Sequence, residues 1–418
     1  QFPTRQDLDR VAPDHPVFLR GRSGHAAWVN TLALRLCGID RDTHDPEGGA
    51  IGHDSDGEPD GILYEWSAMG KVSGRIPPRT TDQIADQMRD TQSLMLSMGI
   101  TAFHDMDDPP CLSALQVMRE RGELHLRVLK QINQKYLPAA VESGIRFGFG
   151  DDQIRIGALK LFADGALGPR TAAMFDPYEG EPDNRGITVL DKEEIASLIV
   201  SASRAGLPTS VHAIGDRAVH DVLDAFEAAR IDEAERGIPR SARRHRIEHV
   251  QVIHPSDVGR LASLDVIASM QPVHATSDYQ TADRYWGARS AYAYNPRLQL
   301  DQGARVILGS DSPYDILDPW QGIYAAVTRR RIDGSPGESG WYPEARLSLQ
   351  EALHGYTAAP PYAAGLENRL GRLAPGYYAD LVILDRDPFA IPDNEILSIR
   401  PQATMVNGQW AYDRQQQR

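Results

Sequence analysis

The feature that most restricts this chain is a unit that recurs from Thr81 onward. It consists of an amphipathic helix, a glycine-containing stop, a short apolar strand, and a polar residue where the strand ends. TDQIADQMRDTQSLMLSMG carries Ile84, Met88, Met95 and Leu96 on roughly helical spacing, is capped at Thr80–Asp82, and is stopped by Gly99. ITAF then runs to His104-Asp105. LSALQVMRERGEL gives way to HLRVLKQI, and IRIGALKLF ends in Ala163-Asp164-Gly165. A helix over 192–205 stops at Gly206 before LPTSVHAIGD; HDVLDAFEAARIDEAER precedes RHRIEHVQV; PSDVGRLASLD leads to VIASMQPVHA; LDQGARVILGSDSP closes the series. Strands alternating with helices pair in parallel through crossover connections. Seven such strands, with polar groups gathered at their carboxyl ends, predict an α/β fold of the (β/α)-barrel type over 81–367 rather than a doubly wound sheet.

The flanks differ. Residues 1–80 are rich in Gly, Pro and Asp, with a turn-dense stretch over 42–61 and a short hairpin expected before ILYEW; we read them as a lid or wall on the barrel mouth. Residues 368–418 read as a small β appendage, in which Asn407-Gly408 marks a hairpin between Met405-Val406 and Trp410-Tyr412. The 418 residues suit one large barrel with additions. The net charge of −14, with RRR at Arg329–Arg331 as the densest basic run and read as a solvated helix face, argues against a nucleic-acid or anionic-membrane binder. Cys37 and Cys111 form no C-x-x-C pair, which excludes a thiolate zinc knuckle and favours a reducing, cytoplasmic compartment. No apolar run approaches 18 residues.

The chemistry is concentrated at strand ends: Lys160 within GALKLF, His212 in SVHAIGD, His249 in RIEHVQ, and Asp311 in VILGSDSP. His212 and His249 are 37 residues apart and Asp311 follows 62 later. With roughly 31 residues per barrel unit, these gaps correspond to one unit and two, and GPRTAAMFDPYEGEPDNRG accounts for the longer gap after Lys160. All four side chains can then reach one mouth. Imidazole and carboxylate suit Zn²⁺ or a similar divalent ion, and a lysine buried among apolar residues can lose its proton and become a carbamate ligand. A lone histidine at a strand end is commonly a hydrogen-bonded structural residue, Lys160 alone could snorkel, and Asp311 could cap a turn. Four polar residues in the same relative place on four strands are poorly explained that way.

GALKLFADGALGPRTAAM, VHAIGD, RIEHVQ and ILGSDSP, with GHAAWVN near the start and GRLAPGYYADLVILDRDP near the end, resemble the metal-dependent amidohydrolase superfamily. The resemblance is to the YtcJ-like branch (amidohydrolase family 3) that contains the N-substituted formamide deformylases. It implies a (β/α)₈ TIM-type barrel with a small β-sandwich domain. It also implies one or two divalent ions, zinc first among them, with Lys160 as a carboxylated bridging ligand, His212 and His249 as metal ligands, and Asp311 as ligand and proton shuttle. The family carries an H-x-H pair on its first barrel strand, and no such tripeptide occurs here. The expectation is therefore that the chain as given starts downstream of that strand, without two ligands, one strand and the amino-terminal half of the sandwich.

Softer candidates for substrate contact are His25 in GHAAWVN, His104, Asp164, Arg170 and Gln271, with Gln251 beside them; Asp164 and Arg170 could instead fix their loop. Trp28, Trp66 and Trp286 are either aromatic lining or core, and His220, His245, His254 and His354 are expected to be solvated or capping. The function expected is hydrolysis of an amide or N-formyl C–N bond in a small molecule by metal-activated hydroxide. A metal-poor relative that keeps the pocket as a binding site, or a deaminase or isomerase on the same scaffold, are the alternatives. No nucleic-acid or membrane partner is expected, and a homodimer is possible.

Overall fold

The computed structural model describes residues 3–21 and 24–415. They form two compact units, one of residues 3–79 with 165–171 and one of residues 80–164 with 172–415. In the first, strands β1 (Phe18–Arg20), β2 (Ala26–Val29), β3 (Ala50–His53) and β4 (Pro59–Tyr64) form an antiparallel sheet in the order β1-β2-β4-β3. The β3–β4 pair is a hairpin in the turn-dense stretch, but its second strand takes in Ile62, Leu63 and Tyr64 of ILYEW rather than ending before it. Val29, Leu34, Ile51, Leu63 and Met69 are its core. Trp28 gives its indole N–H to the Thr4 carbonyl, and Trp66 is half exposed beneath the Arg20 guanidinium.

The second unit holds the seven predicted parallel strands: β5 (Ala102–Asp105), β6 (Arg127–Asn133), β7 (Ile154–Phe162), β8 (Thr209–Ala213), β9 (Arg246–His249), β10 (Ile267–Met270) and β11 (Val306–Leu308). They pair in strict sequence order, from β5 to β11, as a curled sheet with seven of the eight strands that a closed barrel uses. The crossover helices form where the periodicity places them. Thr81–Ser97 starts from a capping box between Thr80 and Gln83, a device worth about 1 kcal/mol, and Lys192–Ala205 ends on Gly206 at φ 91°.

Alternation along the strands sorts the two faces. Leu159, Leu161, Val211 and Ile247 have no exposure and join Ile199, Val219, Val222 and Phe226 of the helical layer. The intervening residues Lys160, Ser210, His212, Arg246 and Glu248 therefore face the barrel interior. Strands β12 (Leu381–Leu384), β13 (Pro401–Val406) and β14 (Gln409–Asp413) make the C-terminal antiparallel sheet, with the β13–β14 turn at Asn407-Gly408, both at positive φ. A buried bidentate pair between Arg127 and Asp380, at 2.6 and 3.0 Å, ties this appendage to β6.

Two expectations need correcting. Arg329 is not on a solvated helix face: it ends the helix Pro319–Thr328 at φ 57°, is 1% exposed, and donates to the carbonyls of Trp341 and Tyr294. His245 is neither solvated nor a cap; it is fully buried, with Nε2 2.9 Å from Glu233. Of the two readings open for Trp286, core is the one found, with no exposure. No helix among the described residues is long and apolar enough to cross a membrane.

Candidate metal centre

The register sets the site. Lys160 lies opposite Ser210, Ser210 opposite Arg246, His212 opposite Glu248, and Ala213 opposite His249. Lys160 is 5% exposed, its ammonium 3.1 Å from the Leu161 carbonyl and 4.0 Å from the Phe162 ring centre. Burial pulls its pKa down to about 8, while Glu248, Asp311 and Asp164 oppose that shift. Beneath the mouth, Glu248 accepts the Ser210 hydroxyl and pairs with Arg246. Burial works against the Glu248 carboxylate, but Arg246 and Lys160 hold its pKa at about 2. His104 faces this layer: Arg246 donates to its Nδ1 at 2.8 Å, and burial with that charge lowers its pKa to about 3. It is a neutral acceptor at any physiological pH.

His249 breaks the alternation of its strand. By period it would share the helix-facing side of Ile247. Instead His249 has φ 80° and Val250 φ 45°, two consecutive left-handed residues without glycine. Each such residue costs about 1–3 kcal/mol and persists only where its surroundings over-determine it. The consequence is an imidazole whose centre lies 4.8 Å from the His212 ring and 5.9 Å from the His274 ring. Gln271 orients it. Gln271 Nε2 donates to the Ser269 carbonyl at 3.3 Å, so its Oε1 faces His249 and accepts the Nδ1–H at 2.8 Å. That leaves Nε2 of His249 as the lone-pair nitrogen. Burial also lowers the His249 pKa and keeps the ring neutral.

Asp311, three residues past β11 and at φ 57°, brings Oδ2 within 3.8 Å of His274 Nε2. One ligand atom from each of His249, His274 and Asp311 lies within 4.8 Å of the others. Two imidazoles and a carboxylate are a donor set for a borderline divalent ion such as Zn²⁺, and a carbonyl fixing the far nitrogen of a ligating histidine is the usual outer-shell device. The residues fit the group. Beside them lies a cavity of about 10 Å³, roughly the room one water needs, bordered by Gln251, Met270 and Tyr294. Asp105, Asp107 and Cys111 also cluster, but Lys130 lies 2.6 Å from Asp105 and already pairs with it, and burial pushes the Cys111 thiol pKa up, away from the thiolate a metal would need.

Lys160, His212, His249 and Asp311 are thus brought to one end of the sheet, and Gln271 joins them through His249. Asp164 is fully buried. It accepts the backbone N–H groups of Ala173, Ile214 and Gly215 at 2.8–3.0 Å, and lies 3.5 Å from His212 Nε2. A Cβ at Gly215 would sit 1.9 Å from the Ala173 carbonyl oxygen, so glycine is what lets this loop close. His25 and Arg170 belong to the first unit, where His25 Nδ1 is 2.8 Å from Glu65 and Arg170 acts electrostatically on Tyr64.

Neither His274 nor Tyr294 stands at a strand end in the sequence pattern. His274 sits in the first turn of the helix Pro272–Trp286, four residues beyond β10. The signal that marks it is a polar residue slightly past the strand end rather than at it.

An amidohydrolase family model matches residues 1–412, and the chain belongs to that family. It is 32% identical to the Bacillus subtilis (strain 168) protein YtcJ over 98% of this chain and 77% of that one. It is 29% identical to the N-substituted formamide deformylase of Arthrobacter pascens, over 99% and 76%. An uncharacterized metal-dependent hydrolase from Pyrococcus furiosus matches in structure with a TM-score of 0.72 and 31% identity, over 93% of this chain and 75% of that one. The fold and family define a hydrolase.

Proposed function

We propose that the protein is a metal-dependent hydrolase of C–N bonds in a small molecule, of the amide or N-formyl type. The observation that carries this is the convergence of His249, His274 and Asp311 within 4.8 Å, next to Lys160 and His212. His249, His274 and Asp311 would hold the ion, with His212 and Lys160 as further donors. When bound, a divalent ion polarises a carbonyl and makes a neighbouring water acidic near neutral pH. The chain supplies the rest. Gln271 keeps His249 in the tautomer whose lone pair is directed away from it. Asp311, whose side chain is 30% exposed, is accessible to take a proton from water and return it to the leaving nitrogen. Lys160, with a pKa of about 8, has an appreciable fraction of neutral amine at physiological pH. That amine can attack CO₂: an N–C bond forms, one C=O electron pair moves to oxygen, and a proton passes from nitrogen to water, which gives a carbamate that would serve as a ligand.

The relationship to the formamide deformylase supports an N-substituted formamide as the first substrate class to try. The test is release of formate and amine from a panel of N-alkyl and N-aryl formamides by zinc-loaded protein. Turnover that disappears in Asp311→Asn while the circular dichroism spectrum is unchanged supports the reading. Equal turnover by Asp311→Asn overturns it.

A further inference from the structure

The second histidine of the cluster has a prop of its own, and its hydrogen-bond arithmetic is informative. Gln251 lies with one amide atom, placed as Nε2, 3.2 Å from His274 Nδ1 and the other, placed as Oε1, 3.3 Å from the Tyr294 hydroxyl. Tyr294 has a single hydroxyl proton and a closer acceptor, Asp278 Oδ2 at 2.9 Å. Burial and the Asp278 charge push the Tyr294 pKa well up, so the phenol keeps that proton. With the proton committed to Asp278, an amide oxygen facing the phenol would set two acceptors against each other in a buried site. The two ends of a carboxamide have nearly the same size, and a half-turn resolves the conflict. Nε2 then donates to the Tyr294 oxygen, and Oε1 faces His274 Nδ1.

Tyr294 is firmly placed for this purpose. Its backbone is left-handed at φ 49°, its N–H donates to the Gln251 carbonyl at 2.6 Å, and its own carbonyl accepts from the buried Arg329 guanidinium at 2.6 Å. A bulky residue in that conformation persists only where several contacts require it.

We propose that Tyr294, anchored on Asp278, is a positioning residue that turns Gln251 so that its carbonyl takes the Nδ1–H of His274 and leaves Nε2 of His274 as the lone pair directed toward Asp311. Gln251 then does for His274 what Gln271 does for His249, and both imidazoles present the same nitrogen. The inference rests on the metal-centre reading for its purpose, but not for its test.

The test is ¹⁵N NMR of the metal-free protein, labelled at histidine, which reports which ring nitrogen carries the proton. The proton on Nδ1 of His274 is expected; a proton on Nε2 overturns the proposal. In Tyr294→Phe the resonances should shift toward a mixture of tautomers, and affinity for Co²⁺ should weaken about 10–100-fold, the usual effect of losing an outer-shell partner. An unchanged tautomer in that variant overturns the proposal. Gln251→Glu presents oxygen to Nδ1 whichever way it turns, so it should retain the Nδ1–H form; loss of that form also counts against the proposal. If the wild type shows Nδ1–H on His274 yet binds no Co²⁺, the metal reading fails and the hydrogen-bond relay stands.

Discussion

β9 has a buried histidine at each end, and the two live in opposite environments. His245, just before the strand, has every partner it can use: Nε2 is 2.9 Å from Glu233, and Nδ1 accepts the Thr209 N–H at 3.0 Å. Glu233 in turn takes Ser203 and Arg230. His249, at the far end, sits on a left-handed backbone, uses one nitrogen on Gln271, and aims the other toward a carboxylate and a second imidazole. Saturation of hydrogen bonds marks the first as structure. Strain, together with a donor atom directed at other donors, marks the second as a candidate site.

The comparison can be broken by experiment, and the largest effect should come from the saturated end. Glu233→Ala leaves His245 and Arg230 buried without their carboxylate and should lower stability by about 3–5 kcal/mol, read by urea denaturation, with metal affinity unchanged. Gln271→Ala should do the reverse, weakening Zn²⁺ or Co²⁺ binding about 10–100-fold in a titration while the urea midpoint moves little. If Glu233→Ala weakens metal as strongly as Gln271→Ala, the two ends of β9 are not distinct.

Acid titration sharpens the same contrast. The Glu233 pKa is opposed by burial but held down at about 2 by His245, Ser203 and Arg230, against an ordinary value of 4.5. Its stabilising contribution is therefore complete above pH 4.5 and is lost as pH falls toward 2. Burial lowers the His245 pKa below its ordinary 6.5, so the unfolded chain binds that proton first and stability again falls with pH. Both act in the same direction, each with a limiting slope of about 1.4 kcal/mol per pH unit. Glu233→Gln should flatten the limb below pH 4.5; an unaltered limb would assign acid lability elsewhere. The smallest effect is expected far from both ends. Gly408→Ala, at φ 76° with open space around it, should cost about 1 kcal/mol in thermal unfolding and leave metal binding intact.

Much of this was legible in the sequence because it depends on period. The seven strands, the caps at Thr80 and Gly206, the Asn407-Gly408 turn, the inward side of Lys160 and His212, and the placing of His249 and Asp311 at or just past strand ends all follow from spacing and local chemistry. What escaped depends on tertiary burial or on backbone geometry. Arg329 and His245 carry polar side chains that composition assigns to solvent, and only packing reveals carbonyls and a carboxylate waiting for them. His274 lies past the end of β10, inside a helix whose proline start draws attention away from it. The left-handed turn at His249 has no sequence mark, since no glycine announces it.

The claim on which the rest depends is that His249, His274 and Asp311 form a divalent metal centre. Elemental analysis of protein produced under zinc-replete conditions, alongside His249→Ala and His274→Ala, tests it most directly. At least one tightly held divalent ion per chain is expected in the wild type, with its loss in both variants while each stays folded. A wild type without metal, or variants that retain the full complement, would contradict it.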